Sequence, residues 1–327
     1  METSLYRCGA TGAAAIAAAL LAGAGAAAQQ PQPQPAPSAT QQQIEDIVVT
    51  GRRSGIPVWH VHGPETSVVL VGAIHGVTKD TSWDPASLTE ALRKADRVLF
   101  PESMALTASP FAMIGYLAKW RAQASLPKGQ SLQQMMPPEQ FARLVALQRR
   151  GVIPAGFERK HPLHLAMTLR GYAKGKSGEA EGASGYVSRA IRKYKLNSVP
   201  IARRKAKGAA QDLFKAPPQT HIPCLLDSVA LVEAGPGAVQ ARSQAWAQRR
   251  VPAVLNSPAE KPHQSCWPAN LMESYAPDAQ VRATVRGLLA QPKVTVAVLN
   301  LHTLGKPGGL LDDLERAGFE VQGPLWK

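Results

Sequence analysis

The sequence predicts an α/β fold (α+β in its segregated helical part), with a central mixed β-sheet that is flanked by helices and split by a long helical insertion. Three observations lead to this prediction. Strand patterns joined by a helix lie near the start of the folded part, and residues from about 109 to 292 are rich in helical patterns and loops. A buried-looking strand then returns at 294–301. Strands that alternate with helices are typical of α/β architectures.

The first sheet elements are predicted by short apolar runs separated by turn residues. Residues 56–61 and 67–74 have strand composition, and the segment between them indicates a hairpin. Asp84 and Pro85 form a suitable cap and first turn for a helix whose apolar residues recur at three-and-four spacing. Residues 97–102 predict the next strand. A strand, a helix and a strand in this order predict a crossover onto one sheet.

The middle and the end of the chain are predicted by the same periodicities. Helices are expected at 138–150, 225–232, 238–249 and 278–289, and the glycine-rich residues 171–185 are expected to form a loop. The apolar, β-branched run at 294–301 is typical of a strand covered on both faces. A short helix at 308–318 and a last strand at 319–322 complete the fold.

The N-terminus has the pattern of an export signal. Arg7 precedes an apolar run that is dominated by Ala and Gly and ends in Ala26-Ala-Ala28. We therefore expect a signal peptide at 1–28, a Pro/Gln-rich linker at 29–50 and a single domain at 51–327. This predicts a periplasmic protein without a stable membrane span after cleavage. An N-terminal membrane anchor is the alternative, although Ala and Gly partition weakly into hydrocarbon.

Export makes the cysteines informative. Cleavage would leave Cys224 and Cys266, and an even pair in an oxidising compartment usually forms a disulfide. Closing a loop of about forty residues contributes roughly 3–4 kcal/mol in the chain-entropy account. Two separate buried thiols are the alternative.

A net charge of +14 raises the question of an anionic partner. Residues 170–207 hold eleven Lys or Arg residues against two Glu residues. A nucleic-acid patch is one interpretation. A solvated insertion that faces anionic envelope surfaces is the other, and export favours it. No nucleic-acid partner is expected.

Three residues at predicted strand ends could carry chemistry. His75 follows the strand at 67–74, Glu102 ends the strand at 97–102, and His302 follows the strand at 294–301. The carboxyl ends of strands are where ligands gather in open α/β sheets. Two imidazoles and a carboxylate suffice to hold a catalytic divalent metal with open positions. Alternatively, each is a strand-end polar group that hydrogen-bonds to the backbone.

Among the other histidines, His161 and His164 lie three positions apart around Pro162. A helix could bring the two rings together as ligands. A position at the exposed start of a helix is the alternative, because pairs with this spacing occur often by chance.

The strand-end residues resemble a known pattern. The TraB/GumN superfamily, whose animal relatives are the TIKI membrane-associated metalloproteases, carries Gly-x-x-His near the start, an acidic residue after the second core strand and a second Gly-x-x-His near the end. This chain resembles it at Gly72-Ala-Ile-His75, at Glu102 and at Leu299-Asn-Leu-His302, over roughly residues 54–326. The resemblance implies a TIKI/ChaN-like fold.

The resemblance also implies an exported metal-dependent hydrolase. Its ligands would be His75, Glu102 and His302, its metal Mn, Co or Zn, and its substrate a peptide or protein. Glu102 could instead act as the general base. The chain departs from the pattern where Leu299 replaces a glycine and where an Arg-Asn pair is missing between 271 and 286. A catalytically degenerate protein that binds a ligand or a partner in the envelope is therefore the alternative. The oligomeric state is left open.

Overall fold

Six strands, five from near the two ends of the folded part and one from its middle, form one mixed sheet. The computed structural model describes residues 55–63, 66–99, 110–175, 179–199, 216–266 and 278–327. The expected signal peptide at 1–28, the linker at 29–50 and Glu102 lie outside these residues.

The strands are β1 Val58–His62, β2 Ser67–Ala73, β3 Val77–Thr78, β4 Arg97–Leu99, β5 Glu179–Ala180, β6 Ser198–Val199, β7 Thr295–Asn300 and β8 Glu320–Gln322. The sheet order is β6-β4-β7-β2-β1-β8, and a two-stranded sheet pairs β3 with β5.

The strand directions confirm a mixed sheet. β1 runs antiparallel to β2 and β8, as the predicted hairpin requires. β2, β7, β4 and β6 are parallel neighbours in that order. Every residue of β2 is buried, as expected of a strand covered on both faces. We call the edge at which β2, β7 and β4 end the carboxyl edge of the sheet.

The helices cover the sheet and form a second, helical part. Their bounds are α1 Ala86–Lys94, α2 Pro110–Ala122, α3 Leu132–Met135, α4 Pro138–Arg149, α5 Pro162–Lys174, α6 Ala183–Tyr194, α7 Ile222–Glu233, α8 Ala238–Ala247, α9 Val251–Leu255, α10 Lys261–Ser265, α11 Asp278–Leu289, α12 Leu301–Gly305 and α13 Leu310–Arg316. Short 3₁₀ turns lie at Phe157–Arg159 and Pro218–His221. The helices predicted at 138–150, 225–232 and 278–289 agree with α4, α7 and α11 within about three residues at either end.

The first helix begins close to its predicted start. Asp84 Oδ1 accepts a hydrogen bond from the backbone N–H of Ala86 at 2.8 Å, and α1 begins at Ala86. Its apolar residues Leu88, Ala91 and Leu92 are buried in the main core. The three-and-four spacing therefore gave the buried face correctly.

Two hydrophobic cores divide the described part of the chain. The main core surrounds the sheet and includes residues of α1, α6, α11 and α13. A second core lies among α3, α4, α5 and α7, and it contains Phe157, Leu169 and Leu225. Cys224 and Cys266 form a disulfide within this second core, so the predicted pairing is present. The bond joins α7 to the residue that follows α10.

The glycine-rich loop expected at 171–185 is wrong in part. α5 continues to Lys174, β5 pairs with β3, and α6 begins at Ala183. Ala183, Val187 and Ala190 form a buried stripe at helical spacing that packs into the main core. This stripe is formed largely of alanine between polar residues, so the glycine and lysine content of the segment concealed it. The following strand β6 then joins the sheet next to β4, which the helical pattern did not predict.

Within the described residues, no single helix is long and apolar enough to cross a membrane. The bent pair Pro218–Glu233 and Ala238–Ala247 passes the length and composition test together, with an angle of 92° between its halves.

We expect the disulfide to stabilise the helical part. Replacing both Cys224 and Cys266 by serine should lower the free energy of unfolding by about 3–4 kcal/mol, because the bond closes a loop of 42 residues in the unfolded chain. Urea unfolding measures the change. Dithiothreitol should shift the wild type to the same midpoint and leave the variant unchanged. An unshifted wild type under reducing conditions would contradict the prediction.

Candidate functional site

The register of two parallel strands brings His75 and His302 to the same edge of the sheet. In the pairing of β2 with β7, Ala73 is the partner of Asn300. Each histidine lies two residues beyond one of these partners. Adjacent strands are about 4.8 Å apart, so the two backbones leave the sheet side by side at its carboxyl edge. The strand that precedes Glu102, β4, is the parallel neighbour of β7 on its other side.

His75 lies in the exposed turn that leaves β2. Gly76 follows it with φ of +66°, a left-handed conformation that glycine adopts without steric cost. The ring of His75 stacks against that of His263, with centroids 5.6 Å apart and an angle of 22° between the planes. His75 is thus accessible on the surface and in contact with α10.

The sequence predicted that His302 lies at the end of a strand. In the structure it lies in the first turn of α12. The side chain of Asn300 accepts a hydrogen bond from the backbone N–H of His302 at 2.8 Å and caps this helix. Asparagine is among the best N-cap residues, and here it stops β7 and starts the helix at once. His302 is half-buried, so its ring is less exposed than that of His75.

Gly72 allows the two histidine segments to approach closely. A Cβ atom at this position would lie 2.5 Å from Leu301 Cδ1 and 3.1 Å from Trp59 Cζ3. The glycine of the first motif is therefore required for packing between β2 and α12. Leu299, which replaces the second glycine, is buried in β7 and is the register partner of Gly72. The sheet accommodates the bulkier residue opposite its smallest one.

The described residues include no group of three His, Cys, Asp or Glu side chains that could hold a metal ion. Two of the three expected ligands, His75 and His302, belong to the described part, and the third, Glu102, lies outside it. The three-ligand site therefore stays a prediction.

A buried ion pair that the sequence did not reveal fixes the turn at His75. Arg242 on α8 is 2% exposed and Glu260 is 1% exposed. Arg242 Nη1 donates to a carboxylate oxygen of Glu260 at 3.0 Å, and Nη2 donates to the carbonyl oxygen of His75 at 2.6 Å and to that of Gly76. Burial raises the pKa of Glu260 to about 6, against the opposing effect of Arg242. Arg242 thus satisfies two carbonyl groups that have left the sheet.

A second cation reaches the same place from the helical part. Arg170 Nη2 lies 3.0 Å from Nδ1 of His263, so Nδ1 acts as the acceptor. Burial, together with the nearby charges of Arg242 and Arg170, lowers the pKa of His263 to about 2. His263 is therefore neutral across the physiological range. Among the described residues, Arg170 and Arg242 bring positive charge towards His75, and Glu260 pairs with Arg242. Such cationic surroundings favour anionic ligands.

Trp246 holds the end of β2 from the same helix as Arg242. Its Nε1 donates to the carbonyl oxygen of Gly72 at 2.8 Å, and its ring is fully buried. Arg242 and Trp246 are four positions apart and so lie on one face of α8. One helix of the insertion thus fixes both the strand end and the turn after it.

The family model for the TraB/PrgY/gumN family matches residues 57–323. The chain belongs to the TraB/PrgY/gumN family. No curated protein and no solved structure matches the chain. Within this TraB/PrgY/gumN protein, the matched range contains both histidine motifs, the basic residues within 170–207 and the disulfide.

The pair His161 and His164 of this TraB/PrgY/gumN protein lies at the start of α5. Nδ1 of His161 caps the helix by accepting from the N–H of Leu163 at 3.2 Å. His164 stacks on Trp120 with centroids 3.8 Å apart, and His161 lies 5.4 Å from the ring of His221. This supports the helix-start interpretation, although both rings are partly covered. Burial, then His221 and His164, lower the pKa of His161 to about 4.

Breaking the buried ion pair of the TraB/PrgY/gumN protein should destabilise it. Arg242→Met should lower the free energy of unfolding by about 3–5 kcal/mol, because Glu260 is left buried without its partner, whether it stays charged or takes up a proton. The double variant Arg242→Met/Glu260→Leu should recover part of this loss, and urea unfolding measures both.

The matched control for this prediction is Arg143→Met. Arg143 forms an exposed ion pair with Glu233, so its loss should cost less than about 1 kcal/mol. Equal losses for Arg242→Met and Arg143→Met would contradict the importance of the buried pair.

The stability of the TraB/PrgY/gumN protein should fall in acid because of His161. Its pKa is lowered on folding, so the unfolded chain takes up a proton below pH 6.5 while the folded chain stays neutral down to about pH 4. The contribution of His161 to the free energy of unfolding is fully present above pH 6.5. It decreases between about pH 6.5 and pH 4, by at most about 1.4 kcal/mol per pH unit. His161→Asn retains a capping acceptor without a titrating ring, so its stability should depend less on pH. Parallel slopes for the two proteins in urea unfolding from pH 7 to 4 would contradict this.

Proposed function

We propose that this protein is a metal-dependent hydrolase that acts on peptide bonds, with its centre at the carboxyl edge of the sheet. The observation that carries the proposal is the register of β2 with β7, which brings His75 and His302 to adjacent strand ends. Membership of the TraB/PrgY/gumN family is consistent with a shared site at this edge. Glu102 is proposed as the third member from its position in the sequence.

The donor set fits a divalent ion of the Mn, Co or Zn type. Neutral imidazole nitrogens and a carboxylate are suitable ligands for these ions. The nearby guanidinium of Arg242 opposes cation binding, but its ion pair with Glu260 offsets most of its charge. A bound ion of this kind polarises a carbonyl group and acidifies water.

The chain's own residues would orient and stabilise the reacting groups. His75 and His302 would hold the ion through ring nitrogens, and Glu102 would either complete the ligand set or accept a proton as general base. Arg242 keeps the turn at His75 in place through its two carbonyl contacts. Arg170 adds positive charge close to His75 through its contact with His263, which favours negative charge on a substrate oxygen.

We further propose that the protein is exported to the periplasm. The pattern of residues 1–28 supports this, and the Cys224–Cys266 disulfide is of the kind that persists in oxidising compartments.

The alternative proposal is a family member that binds a ligand or a partner without catalysis. Leu299 favours it, because this residue occupies the position at which the motif otherwise has glycine. The buried Arg242–Glu260 pair is compatible with both proposals, since it acts on the backbone of the turn.

Metal titration tests the hydrolase proposal. Isothermal titration with Mn²⁺, Co²⁺ and Zn²⁺ should show one site, and His75→Ala, His302→Ala and Glu102→Gln should each weaken it more than about a hundredfold, since even indirect partners of a metal contribute about 10- to 100-fold. The same three variants should lose hydrolysis of a fluorogenic peptide mixture.

His62→Ala is the matched control. His62 is a half-buried histidine at the end of β1, and its register partner is Ser67, the first residue of β2. It therefore lies at the opposite edge of the sheet. Its replacement should leave metal affinity and hydrolysis unchanged. One metal site without hydrolysis would favour the ligand-binding alternative, and no metal site at all would overturn the proposed centre.

A further inference from the structure

An open groove lies along α6, and neither His75 nor His302 lines it. It has a volume of about 590 Å³. Two phenols and three cations line it, together with one alanine: Tyr186, Arg189, Ala190, Arg192, Lys193 and Tyr194. α6 packs into the main core through its stripe of Ala183, Val187 and Ala190, and Ala190 also borders the groove. The cations are therefore carried by a helix that is fixed to the sheet.

Most of the positive charge at the groove is not neutralised by nearby carboxylates. Glu181 pairs with Arg189, and Glu90 on α1 pairs with Lys94. Among the described residues, no carboxylate forms an ion pair with Arg192 or Lys193. Both of these side chains are exposed. Glu181 and Glu90 are thus already paired with other cations.

A fourth cation, Arg93 of α1, lies beside the groove in contact with Tyr194. Its guanidinium carbon lies 4.5 Å from the ring centroid of Tyr194, and Lys193 Nζ lies 5.2 Å from the same centroid. Two like charges thus share one aromatic ring. Hydrogen bonding to Arg93 and the positive charges lower the pKa of the Tyr194 phenol. A bound anion would relieve the repulsion between the two cations.

The helix dipole does not account for these cations. The C-terminal end of a helix carries roughly half a negative charge, which a single lysine or arginine more than balances. Arg192 and Lys193 lie in the last turn of α6, and Lys195 follows as the C-cap. With Arg93 this makes four cations around one helix end. The excess charge is therefore available to an external anion.

The rings of the groove are already engaged, which disfavours nucleic acid as that anion. The hydroxyl of Tyr186 hydrogen-bonds to that of Thr89, and its ring makes an edge contact with Trp83 at 5.7 Å. Tyr194 is in contact with Arg93 and Lys193. Single-stranded nucleic acid binds through bases stacked on aromatic rings, and neither ring is available for that role. Binding that depends on charge alone at an open surface fits the headgroups of a membrane.

We propose that this groove binds the phosphate of anionic phospholipid headgroups and docks the α6 face of the protein on an anionic membrane surface. Arg93, Arg192 and Lys193 contact the phosphates, and the fixed helix holds these cations along the surface. This role is independent of the proposed hydrolase centre.

Vesicle binding tests the proposal with the full chain. Co-sedimentation should be stronger with vesicles of mixed phosphatidylcholine and phosphatidylglycerol than with phosphatidylcholine alone, and added salt should weaken it. The difference between the two compositions is the relevant quantity, because the apolar residues 9–28 could insert into either. Each cation near the surface contributes about fivefold to the affinity for an anionic membrane. Arg192→Gln/Lys193→Gln, which removes two cations, should therefore reduce the preference for the anionic vesicles about thirtyfold.

Lys128→Gln/Arg150→Gln is the control with the same change in net charge. Both of these cations are exposed in the helical part. The control should alter binding less than about twofold. An equal loss in both double variants would overturn the proposal, since only net charge would then matter.

Two further measurements distinguish other anions. Inorganic phosphate and glycerol phosphate, added at matched ionic strength, should compete only weakly with vesicles. Tight binding of either to the free protein, lost in Arg192→Gln/Lys193→Gln and without any preference for anionic vesicles, would overturn the membrane role in favour of a soluble phosphate. An oligonucleotide that binds more tightly than the vesicles through the same residues would also overturn it.

Discussion

The parallel register between β2 and β7 is the constraint on which the candidate site depends. These strands come from opposite ends of the chain, and their pairing sets the level at which His75 and His302 leave the sheet. A slip of one residue would turn every side chain of a strand to the other face. Gly72 also fixes the level, because only a residue without a Cβ allows Leu301 to lie against it. The register is therefore specified by burial on both faces and by one close contact.

The turn after β2 also requires hydrogen-bond donors for its carbonyl groups, and the helical insertion supplies them. A chain that turns out of a parallel sheet leaves carbonyl groups without ladder partners, and such groups are costly when covered. Arg242 donates to the two carbonyls at His75 and Gly76, while Glu260 offsets its charge. The insertion thus contributes to the site through backbone support, although the histidines themselves belong to the sheet.

Sequence patterns predicted the elements that bury a continuous apolar surface. The hairpin of β1 with β2, the helix α11 and the strand β7 all follow from periodicity, and all lie in the main core. The pattern failed at α6, whose buried stripe consists mainly of alanine, and at β6, a strand of two residues. It also extended β7 to Leu301, although Asn300 is a good N-cap and was a readable signal for the start of α12.

The surroundings of His75 could not be predicted from the sequence. Arg170, Arg242 and Glu260 come from separate segments, and each is one of many charged residues without a distinguishing neighbourhood. Only the tertiary packing of α5, α8 and α10 near the end of β2 brings them together. Polar contacts between distant helices leave no period in the sequence, whereas apolar faces do.

The charges around His75 determine what the proposed centre requires. Arg170 and Arg242 carry two positive charges, Glu260 carries one negative charge, and His263 is neutral because burial lowers its pKa to about 2. Among these described groups, the charge is thus positive before any ion binds.

Two imidazoles without a carboxylate would attract a divalent cation poorly in such surroundings, and an anion would be preferred. An anionic ligand is therefore necessary for the hydrolase proposal, and Glu102 is the residue whose carboxylate would supply it. Without that carboxylate, the same cationic surroundings would favour the binding of an anionic ligand, which is the chemistry of the non-catalytic alternative.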